Sequence, residues 1–197
     1  MAANEQHHTP PLPPLDRPVK MLIVVAPYYR EIADQLVTGA RAALGEHGAA
    51  HDLIEVPGAL EIPPAIAIAD RTSNFDGYVA LGCVIRGETT HYETVANDSS
   101  SGLMQLGLRG LAIGNGILTV ENREQAMIRA EAAGQNKGGG AALAALHLVA
   151  LSRRWSGGRS DVGFRPAPGS FQIAGGPGSR DGGNQDNRGQ DGGQETA

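Results

Sequence analysis

The sequence has little that would indicate a secreted, membrane-bound or nucleic-acid-binding protein. Its 197 residues contain one cysteine, Cys83, which excludes an internal disulfide framework and favours a reducing, cytoplasmic compartment. No charged-then-apolar signal segment opens it, and no apolar run reaches the roughly 18 residues that a membrane span requires. The net charge of −5 leaves no basic excess for contacting nucleic acid. We therefore expect a small-molecule ligand, with no nucleic acid and no membrane as partner.

The two ends of the chain lack the periodic apolar pattern of a folded core. Residues 1–18 are rich in proline and predict a flexible arm, in which His7 and His8 lack the further ligands of a closed metal site. Residues 157–197 are dominated by Gly, Asn, Gln and Asp and cannot bury enough apolar surface to offset chain entropy, so we expect a disordered Gly-rich tail. The remaining residues, 19–156, fit one domain.

Short apolar runs alternate with helical patterns through this central part. The run MLIVVA, from Met21 to Ala26, precedes a segment in which Ile32, Leu36 and Leu44 recur at helical spacing. Three further runs, AHDLIEVPG, GYVALGCVI and LAIGNGILTV, each lead into another helical segment. Apolar strands that alternate with helices are typical of a parallel sheet covered on both sides. The sequence therefore predicts an α/β protein, a three-layer α/β/α sandwich with a four-stranded parallel sheet.

The chemically unusual segments follow the predicted strands directly. They are APYY, VPGALE and CVIRGETTH after the first three strands, and GNG within the fourth. Ligands of open parallel sheets bind beyond the carboxyl ends of the strands, where loops and helix N-termini meet. We therefore expect the functional site at this edge.

The stretch VIRGETTHYETV joins the third strand to a helix predicted to begin near Thr89. Its first backbone N–H groups have no partner inside the helix, so the main chain of Gly87, Glu88 and Thr89 can hold a phosphate group. Alternatively, Thr89 or Thr90 caps the helix, and Glu88 is an early acid that favours the helix dipole. The stretch alone leaves both interpretations open.

Two charged or titratable side chains accompany this candidate anion site. His91 lies within one turn of it, and its ordinary pKa suits proton transfer, although a histidine on a helix is also a common surface or core residue. Arg86 is either a further cation of the site, an unpaired surface cation or the partner of Glu88 or Glu55.

At this point the segments VPGALEIP, GCVIRGETTHYETV, GILTVENREQAMIRA and NKGGGAA, in this order, closely resemble the 6,7-dimethyl-8-ribityllumazine synthase family. The resemblance runs from about Lys20 to Trp155 and covers neither end of the chain. It implies a flavodoxin-like fold and a transferase of riboflavin biosynthesis that uses no metal and no organic cofactor. The family condenses 5-amino-6-(D-ribitylamino)uracil with 3,4-dihydroxy-2-butanone 4-phosphate to give the lumazine, phosphate and water.

The resemblance also implies roles for individual residues. His91 corresponds to the proton-transferring histidine, Arg129 to the arginine that binds the phosphate, and Glu88 and Thr89 to main-chain phosphate ligands. Tyr28 corresponds to the aromatic residue that stacks on the pyrimidine. The other substrate-binding positions that the resemblance implies are Ala59, Leu60, Glu61, Cys83, Val84, Ile85, Asn115 and Lys137.

Each of these side chains also has a simpler interpretation. Tyr28 could pack in the core, or Tyr29 could stack in its place, while Glu61 could be an acid at a helix start. Arg129 and Lys137 could be solvated surface cations. Cys83 is best explained as a small apolar wall.

Two departures from the family pattern affect the predicted site and its support. Asn115 stands where many members carry an aromatic residue, so a hydrogen bond could replace an apolar wall over the pyrimidine. Gly138, Gly139 and Gly140 weaken the first turn of the last helix by up to about 1 kcal/mol each relative to alanine, so packing must compensate.

The resemblance further implies a homopentamer, or a higher assembly of pentamers, with riboflavin synthase as a further partner. Each site would take Tyr28, Glu61 and His91 from one subunit and Asn115 and Arg129 from the next. Two other functions stay open at this stage. One is a non-catalytic flavin- or lumazine-binding or shell-forming relative. The other is a flavodoxin-like electron carrier, which the bulky APYYR after the first strand disfavours because such a carrier needs a phosphate loop there.

Overall fold

A computed structural model describes residues 10–157 and contains a parallel sheet of four strands in the order β2-β1-β3-β4, with helices on both faces. This arrangement confirms the predicted three-layer α/β/α fold and is that of flavodoxin-like proteins. The strands are β1 Lys20–Val25, β2 Ala50–Glu55, β3 Gly77–Ile85 and β4 Ile113–Val120. The helices are α1 Arg30–Glu46, α2 Ile62–Thr72, α3 His91–Leu108, α4 Arg123–Ala130 and α5 Lys137–Gly157, and a 3-10 turn spans Ala59–Glu61.

The alternation of side chains along β1 divides the interior into two cores. Met21 and Ile23 point to the face covered by α1, α4 and α5, whereas Leu22 and Val24 point to the face covered by α2 and α3. On α1, the predicted stripe is confirmed, since Ile32, Leu36 and Leu44 are completely buried. A central strand of a doubly covered sheet has to be apolar on both faces, and β1 and most of β3 satisfy that requirement.

The two outer strands are less buried than the predicted sheet covered on both sides would require. In β2 no residue is fully buried, and Ile54 is 38% exposed because β2 lies at the edge of the sheet. In β4 only alternate residues are buried, while Asn115 and Thr119 on the other face are exposed. Within one chain, the face of β4 opposite α5 is therefore incompletely covered.

Glycines allow α5 to approach its neighbours very closely. A Cβ atom on Gly114 of β4 would lie 1.8 Å from the carbonyl oxygen of Ala141, and one on Gly138 would lie 2.0 Å from that of Leu36. Any side chain at either position would push α5 away from the sheet or from α1. The helix-weakening glycine Gly138 thus has a packing reason, whereas a Cβ on Gly140 would meet nothing within 4 Å.

The segment before β1 lies against the first core. Leu12 and Leu15 are partly buried there, and the Arg153 guanidinium of α5 donates to the carbonyl oxygens of Arg17 (2.8 Å) and Pro18 (3.0 Å). The predicted flexibility of the first nine residues and of the Gly-rich tail from 158 onward falls outside the described residues. Among residues 10–157, no helix is both long enough and apolar enough to span a membrane.

Candidate active site

A cleft of about 410 Å³ opens at the carboxyl ends of β1 and β3, where the sequence predicted a site. Its volume is within the range of small-molecule sites. Four segments form its wall: the loop after β1, the 3-10 turn after β2, the end of β3 and the first turns of α3. The predicted site residues that line it are Tyr28, Ala59, Leu60, Glu61, Cys83, Val84, Ile85, Thr89 and His91.

The connection from β3 to α3 forms one end of this cleft. Gly87 and Thr89 line it, and α3 begins at His91, two residues later than predicted. The cap residue Thr90 makes no side-chain hydrogen bond to the helix, and the Thr89 hydroxyl accepts only a long bond of 3.4 Å from the N–H of His91. The capping interpretation of the two threonines is therefore weak, and the positive end of the helix dipole adjoins the cleft.

Arg86 leaves the end of β3 toward partners that the sequence did not suggest. Its Nε donates to Glu121 Oε2 (2.9 Å), and its Nη1 lies 3.4 Å from Glu93 Oε1. Of the alternatives left open for Arg86, pairing with Glu88 or Glu55 is wrong. Among the described residues its salt bridges go to Glu121 and Glu93, and Glu55 at the end of β2 is held by both Nη atoms of another arginine at 2.6 and 3.1 Å. That arginine is Arg30, at the start of α1, which lies much closer to the end of β2 than Arg86 does.

Two tyrosines after β1 line the cleft together. The ring centroids of Tyr28 and Tyr29 are 5.0 Å apart with an interplanar angle of 76°, an edge-to-face pair. Tyr28 is 75% exposed, whereas Tyr29 is partly buried, and burial is the main cause that raises its pKa. Tyr28 is thus not a core residue and offers a free ring face to a ligand, while Tyr29 supports it from the edge.

The end of β3 forms the floor of the cleft. Cys83 is 9% exposed, and burial raises the pKa of its thiol to about 11, so it stays neutral at physiological pH. Together with the half-buried Val84 and Ile85, it presents an uncharged surface. Glu61 and His91, by contrast, are exposed side chains at the rim. The cleft therefore combines an apolar floor with a carboxylate, an imidazole and helix N–H donors.

The structure of one chain does not bring every predicted residue to this cleft. Asn115 lines a second cleft between α3, β4 and α5, where its amide oxygen accepts from the N–H of Ile117 at 2.9 Å. Arg129, on α4, donates to the carbonyl oxygen of Gln125 at 3.0 Å, and Lys137 is exposed at the start of α5. Glu88 does not itself line the cleft, although both of its chain neighbours do.

Sequence reasoning missed several residues that line the cleft. Tyr92 and Val95 belong to the first turns of α3, and Val95 lies one helical turn beyond His91, a spacing from which it could have been inferred. Pro57 and Gly58, which also line the cleft, belong to the VPGALE segment that the sequence did predict at this edge. Among the described residues, no group of three or more His, Cys, Asp and Glu side chains is arranged to hold a metal ion.

Fold and cleft together define an α/β protein of the flavodoxin-like class with a small-molecule site, suited to an anion at one end and a flat ring at the other. The family model described as 6,7-dimethyl-8-ribityllumazine synthase matches residues 18–153. The chain belongs to this family.

Curated relatives that carry this name are similar over nearly their whole length. A protein from Jannaschia sp. is 54% identical over 165 residues, covering 84% of this chain and 92% of the relative. One from Novosphingobium aromaticivorans is 58% identical over 137 residues, covering 70% and 99%. One from Bartonella tribocorum is 57% identical over 141 residues, covering 71% and 93%.

Proposed function

We propose that the protein is a working 6,7-dimethyl-8-ribityllumazine synthase, a transferase of riboflavin biosynthesis. It condenses 5-amino-6-(D-ribitylamino)uracil with 3,4-dihydroxy-2-butanone 4-phosphate and releases the lumazine, phosphate and water. The observation that carries this proposal is the cleft itself. In a chain of this family, it joins an exposed aromatic ring, a carboxylate, an imidazole and an uncapped helix N-terminus.

The phosphate is assigned to the N-terminal end of α3. Main-chain N–H groups from Gly87 to Thr89 and the helix dipole both favour a dianion there, and Gly87 leaves open space, since a Cβ on it would meet nothing within 4 Å. Glu88 contributes through its main chain, because its carboxylate would repel the phosphate. Arg129 and Lys137 supply opposite charge from an adjoining subunit.

The pyrimidine is assigned to the space between Tyr28 and the end of β3. The exposed face of Tyr28 stacks on the flat ring, and Cys83, Val84 and Ile85 lie along its edge. The ribityl hydroxyls reach the turn of Ala59, Leu60 and Glu61, whose carboxylate accepts hydrogen bonds from them. Asn115 of an adjoining subunit presents its NH2 group, which has no hydrogen-bond partner within residues 10–157.

The chemistry follows from holding the two reactants together. The 5-amino group of the uracil attacks the ketone of the butanone phosphate, and the carbinolamine loses water to give an imine. After tautomerisation the bond from C4 to the phosphate oxygen breaks, phosphate leaves, and the resulting enol becomes a ketone at C3. The ribitylamino nitrogen attacks that ketone, and loss of a second water closes the ring. His91 carries protons between these intermediates. No residue of the chain has to become a covalent nucleophile, and positioning supplies most of the acceleration.

A homopentamer, alone or stacked into a higher assembly, completes each site by adding residues of an adjoining subunit. Riboflavin synthase is a further partner. Support comes from the second cleft, of about 580 Å³, which large exposed apolar side chains line. They are Met104 at 63%, Leu108 at 81%, Leu148 at 42% and Trp155 at 66% exposure. A concentration of such side chains on one face is typical of an interface between subunits. Residues 19–156 would then be the assembling domain, flanked by the proposed arm and tail, in a cytoplasmic protein.

The function is tested by mixing purified protein with both substrates and following lumazine absorbance against the uncatalysed reaction. We expect strong acceleration that saturates with each substrate. Saturable binding of the uracil without acceleration would instead favour a non-catalytic lumazine- or flavin-binding relative.

Replacing His91 by asparagine should lower kcat by about 100-fold or less, because proton transfer is only part of the acceleration. KM for either substrate should change little. Glu46→Gln, an exposed change at the end of α1, is the control and should leave kcat unaltered. Full kcat in the His91→Asn variant would contradict the proton-transfer role.

A further inference from the structure

The Arg86 side chain joins the end of β4 to the first turn of α3 beside the cleft. Besides its bonds to Glu121 and Glu93, its guanidinium carbon lies 4.3 Å from the ring centroid of Tyr92, which lines the cleft. The main-chain N–H of Arg86 donates to the carbonyl oxygen of Val120 at 2.9 Å, so the ends of β3 and β4 lie side by side. The hydrogen bond to Glu121 is the main cause that raises the pKa of Arg86, which is therefore always charged.

The two carboxylates that Arg86 contacts belong to segments that adjoin the proposed phosphate position. Glu93 follows Thr89 by four residues in the first turn of α3, and Glu121 directly follows Val120, whose carbonyl oxygen holds the main chain next to Gly87. Neither carboxylate has another basic partner among the salt bridges of the described residues. Without Arg86, two uncompensated negative charges would stand in the segments next to a bound dianion, and their repulsion would grow as the salt concentration falls.

We propose that Arg86 is a positioning residue for the phosphate-bearing substrate. It neutralises Glu93 and Glu121 and, by stacking on Tyr92, fixes the first turn of α3, so that the phosphate meets helix N–H groups and not bare carboxylates. Arg86 need not touch the substrate to do this. The inference rests on the proposed function, which supplies the dianionic substrate.

This role differs from a contribution to stability. The Arg86 side chain is 42% exposed and both of its carboxylate partners are 58% exposed, and exposed ion pairs stabilise folded proteins very little. Loss of Arg86 should therefore leave the fold intact and act on substrate affinity. A group that acts on a charged ligand from nearby shifts KM for that ligand selectively.

The test compares four proteins by steady-state kinetics at low salt. Arg86→Gln should raise KM for the butanone phosphate about fivefold, with smaller changes in KM for the uracil and in kcat, and added salt should shrink the difference. Arg86→Lys keeps the positive charge, so its KM for the butanone phosphate should be closer to that of the unaltered protein than the KM of Arg86→Gln is. The triple variant Arg86→Gln, Glu93→Gln and Glu121→Gln should recover most of the lost affinity, because it removes the repelling charges.

The matched control is Arg30→Gln, which breaks the Arg30–Glu55 pair at the same edge of the sheet. The ends of β2 and β3 are two strand spacings apart, about 10 Å, so KM for the butanone phosphate should rise much less than in Arg86→Gln at low salt and stay unchanged at physiological salt.

Several outcomes overturn the inference. One is an unchanged KM for the butanone phosphate in Arg86→Gln, and another is a triple variant no better than Arg86→Gln. If Arg86→Gln does not assemble, the double variant Glu93→Gln, Glu121→Gln with Arg86 intact tests the inference. Its KM for the butanone phosphate should fall below that of the unaltered protein. An unchanged KM contradicts the proposal. An unaltered protein without synthase activity overturns the proposed function, and this inference with it.

Discussion

Replacing Arg129 by alanine is expected to raise KM for the butanone phosphate about 100-fold, since one or two charge-assisted hydrogen bonds to the phosphate are lost. KM for the uracil should change far less, because the proposed uracil contacts lie at the other end of the cleft. Within residues 10–157, Arg129 bonds only the carbonyl oxygen of Gln125 in its own helix, which leaves other N–H donors of its guanidinium for a ligand. The measurement is steady-state kinetics with each substrate varied in turn.

Arg123 is the appropriate control because it lies on the same helix, α4. Its charge opposes the rise in pKa of both Tyr29 and Cys83, so it stands near the cleft of its own chain, but it is paired with Glu31. Arg123→Ala should leave KM for the butanone phosphate within a small factor of the unaltered value. If Arg123→Ala raised that KM and Arg129→Ala did not, the phosphate would be bound by Arg123, and the proposed role of Arg129 would be wrong.

Replacing Leu108 by glutamate should abolish assembly and, with it, activity. Leu108 is 81% exposed in the single chain, so the substitution should not disturb the subunit's own core. Buried between subunits, however, an unpaired carboxylate costs several kcal/mol. Size-exclusion chromatography with light scattering should show monomers, and turnover should fall by more than about 100-fold, because each proposed site lacks half of its groups without a neighbour.

The matched control for that prediction is Ala42→Glu, which adds the same charge to the exposed side of α1. That side carries none of the large exposed apolar residues of the described chain. The Ala42→Glu protein should assemble and turn over substrate normally. An active monomeric Leu108→Glu protein would show that one chain contains a complete site.

The sequence predicted the fold well because the sheet is simple. A four-stranded parallel sheet needs central strands with continuous apolar runs, and MLIVVA and GYVALGCVI show that pattern directly. The helical spacing of Ile32 and Leu36 in turn predicts the covering helix α1. The prediction failed for the burial of the two outer strands, β2 and β4. Apolar residues in β2 and β4 mark them as strands, but edge position depends on the spatial order β2-β1-β3-β4, which local pattern does not contain.

The site residues that directly follow strand ends were predictable from the sequence. Contacts between residues far apart in the sequence were not. Tyr28, the turn of Ala59 to Glu61, Cys83 and His91 all line one cleft because parallel strands end at the same edge. The partner of Arg86 was not predictable, since Glu121 is 35 residues away and becomes its neighbour only when β3 pairs with β4. Helix start was also misjudged, because Thr89 and Thr90 remain in the turn before α3.

The proposal of sites shared between adjoining subunits is tested most directly by mixing two damaged proteins. One carries Glu61→Ala with His91→Asn, and the other carries Arg129→Ala. With the butanone phosphate held near its KM for the unaltered protein, each alone should be nearly inactive, because the Arg129→Ala protein then works far below its raised KM. After co-assembly at equal amounts, about one quarter of the sites should combine an intact Glu61 and His91 from one subunit with an intact Arg129 from the next, and activity should return accordingly. Activity of the mixed assembly no higher than that of the two parents would show that each site lies within a single chain, which contradicts the account.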